Sequence, residues 1–364
     1  DYSNTQNSGQ DIRFTDSDGT TLLSYEIEKW DEASYSYVWV KVPQIDINSN
    51  TDYIYMYYGN TGATDASTPS SVWNTNYKMV LHMKETSGLT VNDSTSTALV
   101  GNKISSTNPD PTTSGYIGGA QSFNGTSDYI DIPNGYTNTI KGGSTYTFDF
   151  WLKPNSTALS GSRVLFDSIN CGSLCFGLQF NGTNGVYWWT GGTYRTYTGF
   201  NLVADTWYHF QLTKSDASNG ELYLNGVLQS TFSGSLSANP NSDSTFRIGQ
   251  YQSGNYYTGG IYDEIRISNS VRSVAWMKAS HLVDTSTFNT LGSAETKFQT
   301  SASLTSNIFD TSTGSDFETI TYTSTVPANT TLVVKVRTGN QSNLSDASTF
   351  GSCSNVTSGS DLSG

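Results

Sequence analysis

At 364 residues the chain suits two or three domains of about 100–200 residues, and its 23 Tyr, 16 Phe and 8 Trp can bury large cores, which excludes a disordered chain. Charged residues are only 13% of the total, against a norm near ~25%, and 18 basic against 31 acidic residues leave a net charge of −13. That balance excludes nucleic acid as a partner, since phosphate binding rests on Lys and Arg, and disfavours anionic lipid surfaces.

Taken in order, the first ten residues, DYSNTQNSGQ, are polar and carry no signal-peptide pattern, so the sequence reads as a processed or excised chain. Short strands with turn punctuation follow: YSYVWVKVP and TDYIYMYYGN, the loop NTGATDASTPSS, then QSFNGTSDYIDIP, YTFDFWLKP, ELYLNGVLQS and FRIGQY. Asn225-Gly226, set between alternating runs, is a type I′ hairpin signal. Helical spacing occurs once, in Ser270 to His281, where Val271, Val274, Ala275 and Lys278 fall at i, i+3, i+4 and i+7 and Ser270 or Ser273 serves as the cap. The tail holds about three strands, among them TLVVKVRTG, before a Ser/Asn-rich end. No run approaches the roughly 18 apolar residues of a membrane span, so no direct membrane insertion is expected. Low Lys, 3 Cys and abundant Ser, Thr and Asn suit an extracellular, cell-surface location. The fold class expected is all-β: tandem antiparallel β-sandwiches with a central jelly roll.

Particular segments carry a resemblance. GQDIRFTDSDGTTLLSYEIEKWD, YVWVKVPQI and TDYIYMYYGN resemble the DUF2341 family of bacterial and archaeal surface proteins. GGAQSFNGTSDYIDIP, YTFDFWLKP, DTWYHFQLTKSDASNGELYLNGVLQ and GGIYDEIRISNSVRSVAWMKASH resemble a laminin-G-like, concanavalin-A-type jelly roll. The tail is similar to the start of a further β-sandwich module. These likenesses divide the chain into 1–76 (DUF2341-like and incomplete at its N-terminus), 77–290 (the jelly roll with its short helix) and 291–364 (a partial module). Both ends look cut, as in a fragment of a larger surface protein or an assembly with strand exchange.

Motifs for catalysis are missing. There is no ExDxE strand, which would set two carboxyls on one face for glycoside hydrolysis, and no G-x-S-x-G, HExxH or phosphate loop. Asp263 and Glu264 are adjacent, so strand alternation sends them to opposite faces. His82, His209 and His281 are scattered, and His209 reads as a satisfied sheet histidine beside Trp207 and Gln211.

Calcium, which takes hard oxygen ligands from loops, is the expected cofactor. The jelly-roll resemblance implies that the turn before YIDIP lies beside the YDEIR strand, bringing Asp128 and Asp263 together, with Asp131 near them. The same residues also suit a turn aspartate and an Asp263–Arg266 or Asp263–backbone contact. Asp16 and Asp18 in FTDSDGT suit an Asp-Gly turn, since no Glu completes a calcium loop. Ligand binding is expected on the aromatic hairpin, through Trp189, Tyr194, Arg195 and Tyr197, with Tyr187 and Trp189 on one face and Trp188 on the other. Core or interface packing would use the same stripe. Cys171 and Cys175 are close enough for a local disulfide, and sequons stand at Asn92, Asn124, Asn155, Asn181, Asn329, Asn340, Asn343 and Asn355.

The resulting expectation is a non-catalytic surface protein for adhesion or carbohydrate recognition, with glycans as partners. One alternative is a structural subunit of an extracellular filament or sheath, whose partners are neighbouring surface-protein subunits and whose contacts make a homo-oligomer by strand exchange. A glycoside hydrolase or lyase is the other.

Overall fold

The computed structural model describes residues 2–45, 52–133, 145–169, 176–182, 185–190, 193–216, 218–233, 245–286, 289–294, 302–314, 317–326 and 330–362. The chain divides into two compact units, Asp1–Thr290 and Leu291–Gly364.

Within the first unit, β1 (Arg13–Thr15), β2 (Leu22–Leu23), β3 (Tyr25–Lys29), β4 (Tyr37–Val40), β5 (Tyr55–Tyr57) and the short α1 (Pro69–Val72) come first. They form a three-stranded sheet, β2-β1-β5, and the hairpin β3-β4, closed over Ile12, Phe14, Leu23 and Tyr25. On β3 the apolar residues Tyr25 and Ile27 belong to this small core, so Glu26 and Glu28 leave the strand on its other side.

The sandwich follows with β6 (Tyr77–Leu81), β7 (Thr90–Asn92), β8 (Val100–Lys103), β9 (Asp110–Thr112), β10 (Ala120–Asn124), β11 (Ile130–Ile132), β12 (Tyr146–Pro154) and β13 (Ser162–Ile169). It continues through β14 (Phe176–Asn181), β15 (Gly185–Thr190), β16 (Thr193–Thr198), β17 (Tyr208–Lys214), β18 (Asn219–Leu224), β19 (Val227–Ser233), β20 (Thr245–Ile248) and β21 (Gly259–Ser268), and ends in α2 (Val274–Asp284). One antiparallel sheet has the order β19-β18-β17-β12-β21-β10-β9, with β6 also paired to β21, and we call it the helix-side sheet. The other, the aromatic-side sheet, runs β16-β15-β14-β13-β20-β11-β8-β7. Between them lies one aromatic-rich core that includes Phe148, Phe150, Phe166, Phe176, Phe180, Trp188, Phe210 and Phe246. The all-β, sandwich fold class read from the sequence is the one observed.

Local signals decide several details. Asn225 and Gly226 both have positive φ, 52° and 73°, which is the backbone a type I′ turn demands between β18 and β19. Ser273, rather than Ser270, caps α2, its side chain accepting from Trp276 N. The expected apolar stripe is wrong: Val271 and Val274 are exposed, while Met277 and Asp284 are buried. The helix covers a polar sheet face, so a carboxylate marks its inner side.

The second unit contributes the pair β22 (Val334–Lys335) and β23 (Asn355–Val356) among its described residues. No helix among the described residues is long and apolar enough to cross a membrane.

Candidate functional site

Two faces carry chemistry. On the aromatic-side sheet, strand register lines up Tyr194, Trp189, Gly177, Asp167, Arg247 and Asp131 in one transverse row across β16, β15, β14, β13, β20 and β11. Directly paired residues share a face, so the row is one continuous strip on the outside of the sandwich. Gly177 is needed there because a Cβ would meet the Trp189 ring at 1.9 Å, and without it the indole lies against the backbone. Trp189 is 7% exposed under Tyr194 and Tyr251, and Tyr194 itself is 65% exposed. Arg247 grips Asp131 with two bonds of 2.7 Å and also donates to Gln250. Asp167 is buried, with Oδ2 accepting from Gln252 N and Oδ1 without a hydrogen-bond partner among the described residues. Burial pushes its carboxyl up to about 7, although the Gln252 amide and the Arg247 charge pull the other way.

This geometry splits the predicted ligand set. Trp189 and Tyr194 lie together on the outer strip, whereas Arg195 pairs across from the core residue Trp188 and Tyr197 packs on Phe200 at the inner side. Alternation along β16 makes the division unavoidable, and Trp189 packs instead with Val164 of β13 and with Tyr251.

The aspartates expected to meet at one cation do not converge. Asp128 accepts from Asn124 N, Asn124 Nδ2 and Asn108 Nδ2, which closes its turn. Asp131 is the partner of Arg247. Asp263 accepts from Ile117 N and Glu264 N. Tyr262 pairs with Gln121 on β10, which puts Asp263 opposite Ala120, four residues from Asn124 and so about 13 Å along the strand from the Asp128 turn. Asp18 is engaged by Thr20 and Thr21 around Gly19, as an Asp-Gly turn requires. Cys171, Cys175 and Asn329 lie outside the described residues. Asn92, Asn124, Asn340, Asn343 and Asn355 are exposed, while Asn155 and Asn181 are half-buried.

The second face is the outside of the helix-side sheet, buried under α2 and the β3-β4 hairpin. Between Asp149 and Trp151 the β12–β21 register slips, leaving a bulge at Glu264, whose φ is 49°. The extra residue undoes the alternation expected of Asp263 and Glu264. Tyr262 and Ile265 both point into the core, so both acids are displaced to the outer side. There Glu264 Oε1 lies 2.6 Å from His82 Nδ1, and Glu28 Oε2 lies 3.4 Å from the same nitrogen. On the other side of the ring, His82 Nε2 is 3.2 Å from Glu26 Oε2. Ligand-type atoms of Glu28, His82 and Glu264 all fall within 4.8 Å of one another. Trp39 and Trp73 pack against the imidazole, and Arg266 stacks on Trp39 while bonding Glu264 and Asp284. Burial alone would push His82 down, but the carboxylates of Glu264 and Glu28 outweigh it and hold the imidazole protonated well above its usual range. Burial and the neighbouring Glu264 push Glu28 well up.

His209 also departs from expectation. Its ring is stacked on Trp151, with Asp149 and Asp284 at 3.9 and 3.8 Å, and neither nitrogen has a hydrogen-bond partner among the described residues. The sequence reading missed Glu26, Glu28 and His82. The signal for Glu26 and Glu28 lay in YEIEKW, where acids alternate with apolar residues on a strand and so need a polar surface to face; His82 had none.

Two family models match the chain. Residues 124–278 match the concanavalin A-like lectin/glucanases superfamily model (Laminin_G_3), and residues 8–100 match the domain of unknown function DUF2341. The chain therefore carries a DUF2341 domain followed by a concanavalin A-like jelly roll. No curated protein matches it. Among solved structures, domain 4 of AbnA, a GH43 extracellular arabinanase from Geobacillus stearothermophilus in complex with arabinotriose, is similar at 17% identity and a TM-score of 0.44, over 56% of this chain and 97% of that one. The botulinum neurotoxin serotype G binding domain is similar at 13% identity and a TM-score of 0.46, over 58% of this chain and 52% of that one. The binding domain of Paraclostridial Mosquitocidal Protein 1 gives the same identity and TM-score over 57% and 52%, so this chain spans about half the length of both toxin domains.

Proposed function

We propose that the protein is a non-catalytic, extracellular cell-surface protein that mediates adhesion by recognising carbohydrate on the outer face of the aromatic-side sheet. The observation that carries this reading is the transverse row, in which an exposed Tyr194 and the Trp189 indole stand beside Asp167, Arg247 and Asp131. Sugar rings offer C–H faces that stack on an exposed aromatic such as Tyr194, which Trp189 backs from below, and hydroxyls that bond the half-buried Arg247–Asp131 pair farther along the row, while the buried Asp167 lies beneath the surface. The His82–Glu264 pair, an acid–imidazole contact short enough for proton transfer, is sealed from solvent, its side chains 1% and 0% exposed, which supports a binding role over turnover. A glycan array probed with the wild-type chain and with Trp189→Ala and Tyr194→Ala tests the reading. Binding that falls tenfold or more in both variants supports it, and a blank array or unchanged binding in both rejects it.

A filament or sheath subunit is a second reading, favoured by apolar residues that residues 291–364 leave in solvent. Leu304 is 98% exposed and Phe309 80%, in a stretch without strand pairing among the described residues. Sedimentation at increasing concentration separates the two, because a subunit of this kind would assemble and a free adhesin would stay monomeric.

A further inference from the structure

We propose that Glu28, His82 and Glu264 form a buried site for one divalent transition-metal ion that fastens the β3-β4 hairpin to the helix-side sheet. The hydrogen-bond arithmetic at His82 leads there. Its Nδ1 carries a single hydrogen, yet Glu264 Oε1 at 2.6 Å and Glu28 Oε2 at 3.4 Å both converge on that nitrogen. Glu28 Oε1 has no hydrogen-bond partner among the described residues, although the side chain is 0% exposed. The single N–H serves the 2.6 Å contact to Glu264, which leaves Glu28 with only its Trp39 bond on Oε2 and an unpartnered Oε1 beside a second buried acid; a doubly charged ion bound by Nδ1 and by both carboxylates relieves both.

The surroundings are those of a metal ligand set. A ligating histidine ordinarily gives its other N–H to a carboxylate, and here Nε2 faces Glu26, which Lys84, Ser94 and Trp73 hold in turn. Glu28 is oriented by Trp39 Nε1, and Glu264 by Arg266. Tetrahedral bonds of about 2.0–2.2 Å from an ion set neighbouring ligand atoms about 3.3–3.6 Å apart, which matches the 3.4 Å from Nδ1 to Glu28 and requires the 2.6 Å hydrogen-bond contact to Glu264 to open as the proton leaves. An imidazole with two carboxylates suits Zn²⁺ or a similar first-row ion, whereas Ca²⁺ takes oxygen alone.

The full chain, refolded from denaturant with Zn²⁺, Mn²⁺ or Ca²⁺ and then desalted, tests the proposal by metal analysis and by melting with and without chelator. The expected result is one equivalent of a transition ion per chain and a melting temperature higher by at least about 5 °C. Co²⁺ should add visible d–d absorption of a nitrogen/oxygen site. His82→Gln and Glu28→Gln should each weaken uptake tenfold or more. The neutral glutamine at 28 keeps the Trp39 bond and relieves repulsion, so that variant folds and keeps the measurement interpretable. Substoichiometric metal, uptake unchanged in both variants, or Ca²⁺ bound as well as Zn²⁺ overturns the assignment.

Discussion

Replacing Asp167 by asparagine isolates one buried carboxyl whose energetics the row makes calculable. Asp167 sits in the middle of the strip at 0% exposure, and its nearest cation, Arg247, is already committed to Asp131 and Gln250. Its folded carboxyl titrates near 7 against an ordinary 3.8, so the folded chain holds this proton more tightly than the unfolded chain does. The contribution of this carboxyl to stability is then lost as pH rises from about 4 to about 7, with no further change from this group above. A displacement from 3.8 to about 7, at 1.36 kcal/mol per pH unit, caps the loss at about 4 kcal/mol. The Asp167→Asn variant is neutral at this position throughout. Urea unfolding of both proteins from pH 4 to pH 8 should therefore show equal stability at the acid end and a variant up to about 4 kcal/mol more stable at the alkaline end. A difference independent of pH, or a variant weaker at pH 8, would refute the reasoning, because it would mean that the carboxylate has an anion-stabilising partner in the folded state.

Other expectations follow from single contacts. Gly177→Ala places a methyl at 1.9 Å from the Trp189 ring, so the indole must tilt out, with a loss of about 1–3 kcal/mol and a changed tryptophan emission; an unaltered spectrum and melting curve would contradict the packing. Arg266→Met leaves Glu264 and Asp284 buried without their shared cation, and chemical denaturation should show a loss of about 3–5 kcal/mol, whereas a loss below about 1 would show that the network is not electrostatically coupled. Ser273→Ala removes the oxygen that accepts from Trp276 N, and a drop of about 1 kcal/mol in unfolding free energy is expected.

Individual strands were readable where aromatic and aliphatic residues alternate in a bounded run or where a diagnostic turn joins two of them. β12 shows eight of its nine residues buried, and Asn225-Gly226 fixes β18 to β19. Two things were hidden. One is register irregularity: the bulge at Glu264 inserts a residue that no composition rule flags, and it sends Asp263 and Glu264 to the same side. The other is distance along the chain. His82 meets Glu264 across 182 positions and Glu26 across 56, so beyond the acid–apolar alternation of YEIEKW nothing local marks the cluster. Helix α2 was found but turned the wrong way, because its inner line, Met277, His281 and Asp284, is mostly polar and sits on a polar sheet face. Trp189 was legible as part of an aromatic hairpin, but its true neighbours come from β13 and from the loop at Tyr251.

Both readings of this molecule meet in how its charges are placed. A hairpin held to the sandwich only by apolar contact could slide along the sheet with little penalty, since apolar burial has no direction. Glu26 and Glu28 change that. Any docking that separates them from His82, Lys84 and Trp39 would leave two buried carboxylates without partners, at a cost of several kcal/mol each. The hairpin is thus fixed in register over the helix-side sheet, and with α2 it occupies that outer face completely enough that His82, His209, Glu264 and Asp284 are all buried. On the opposite side, among the described residues, Tyr194 and Tyr256 stand in solvent at 65% and 48% exposure. The charged seam and the aromatic strip thus lie on opposite faces of one sandwich, the first buried in a defined register and the second open at Tyr194.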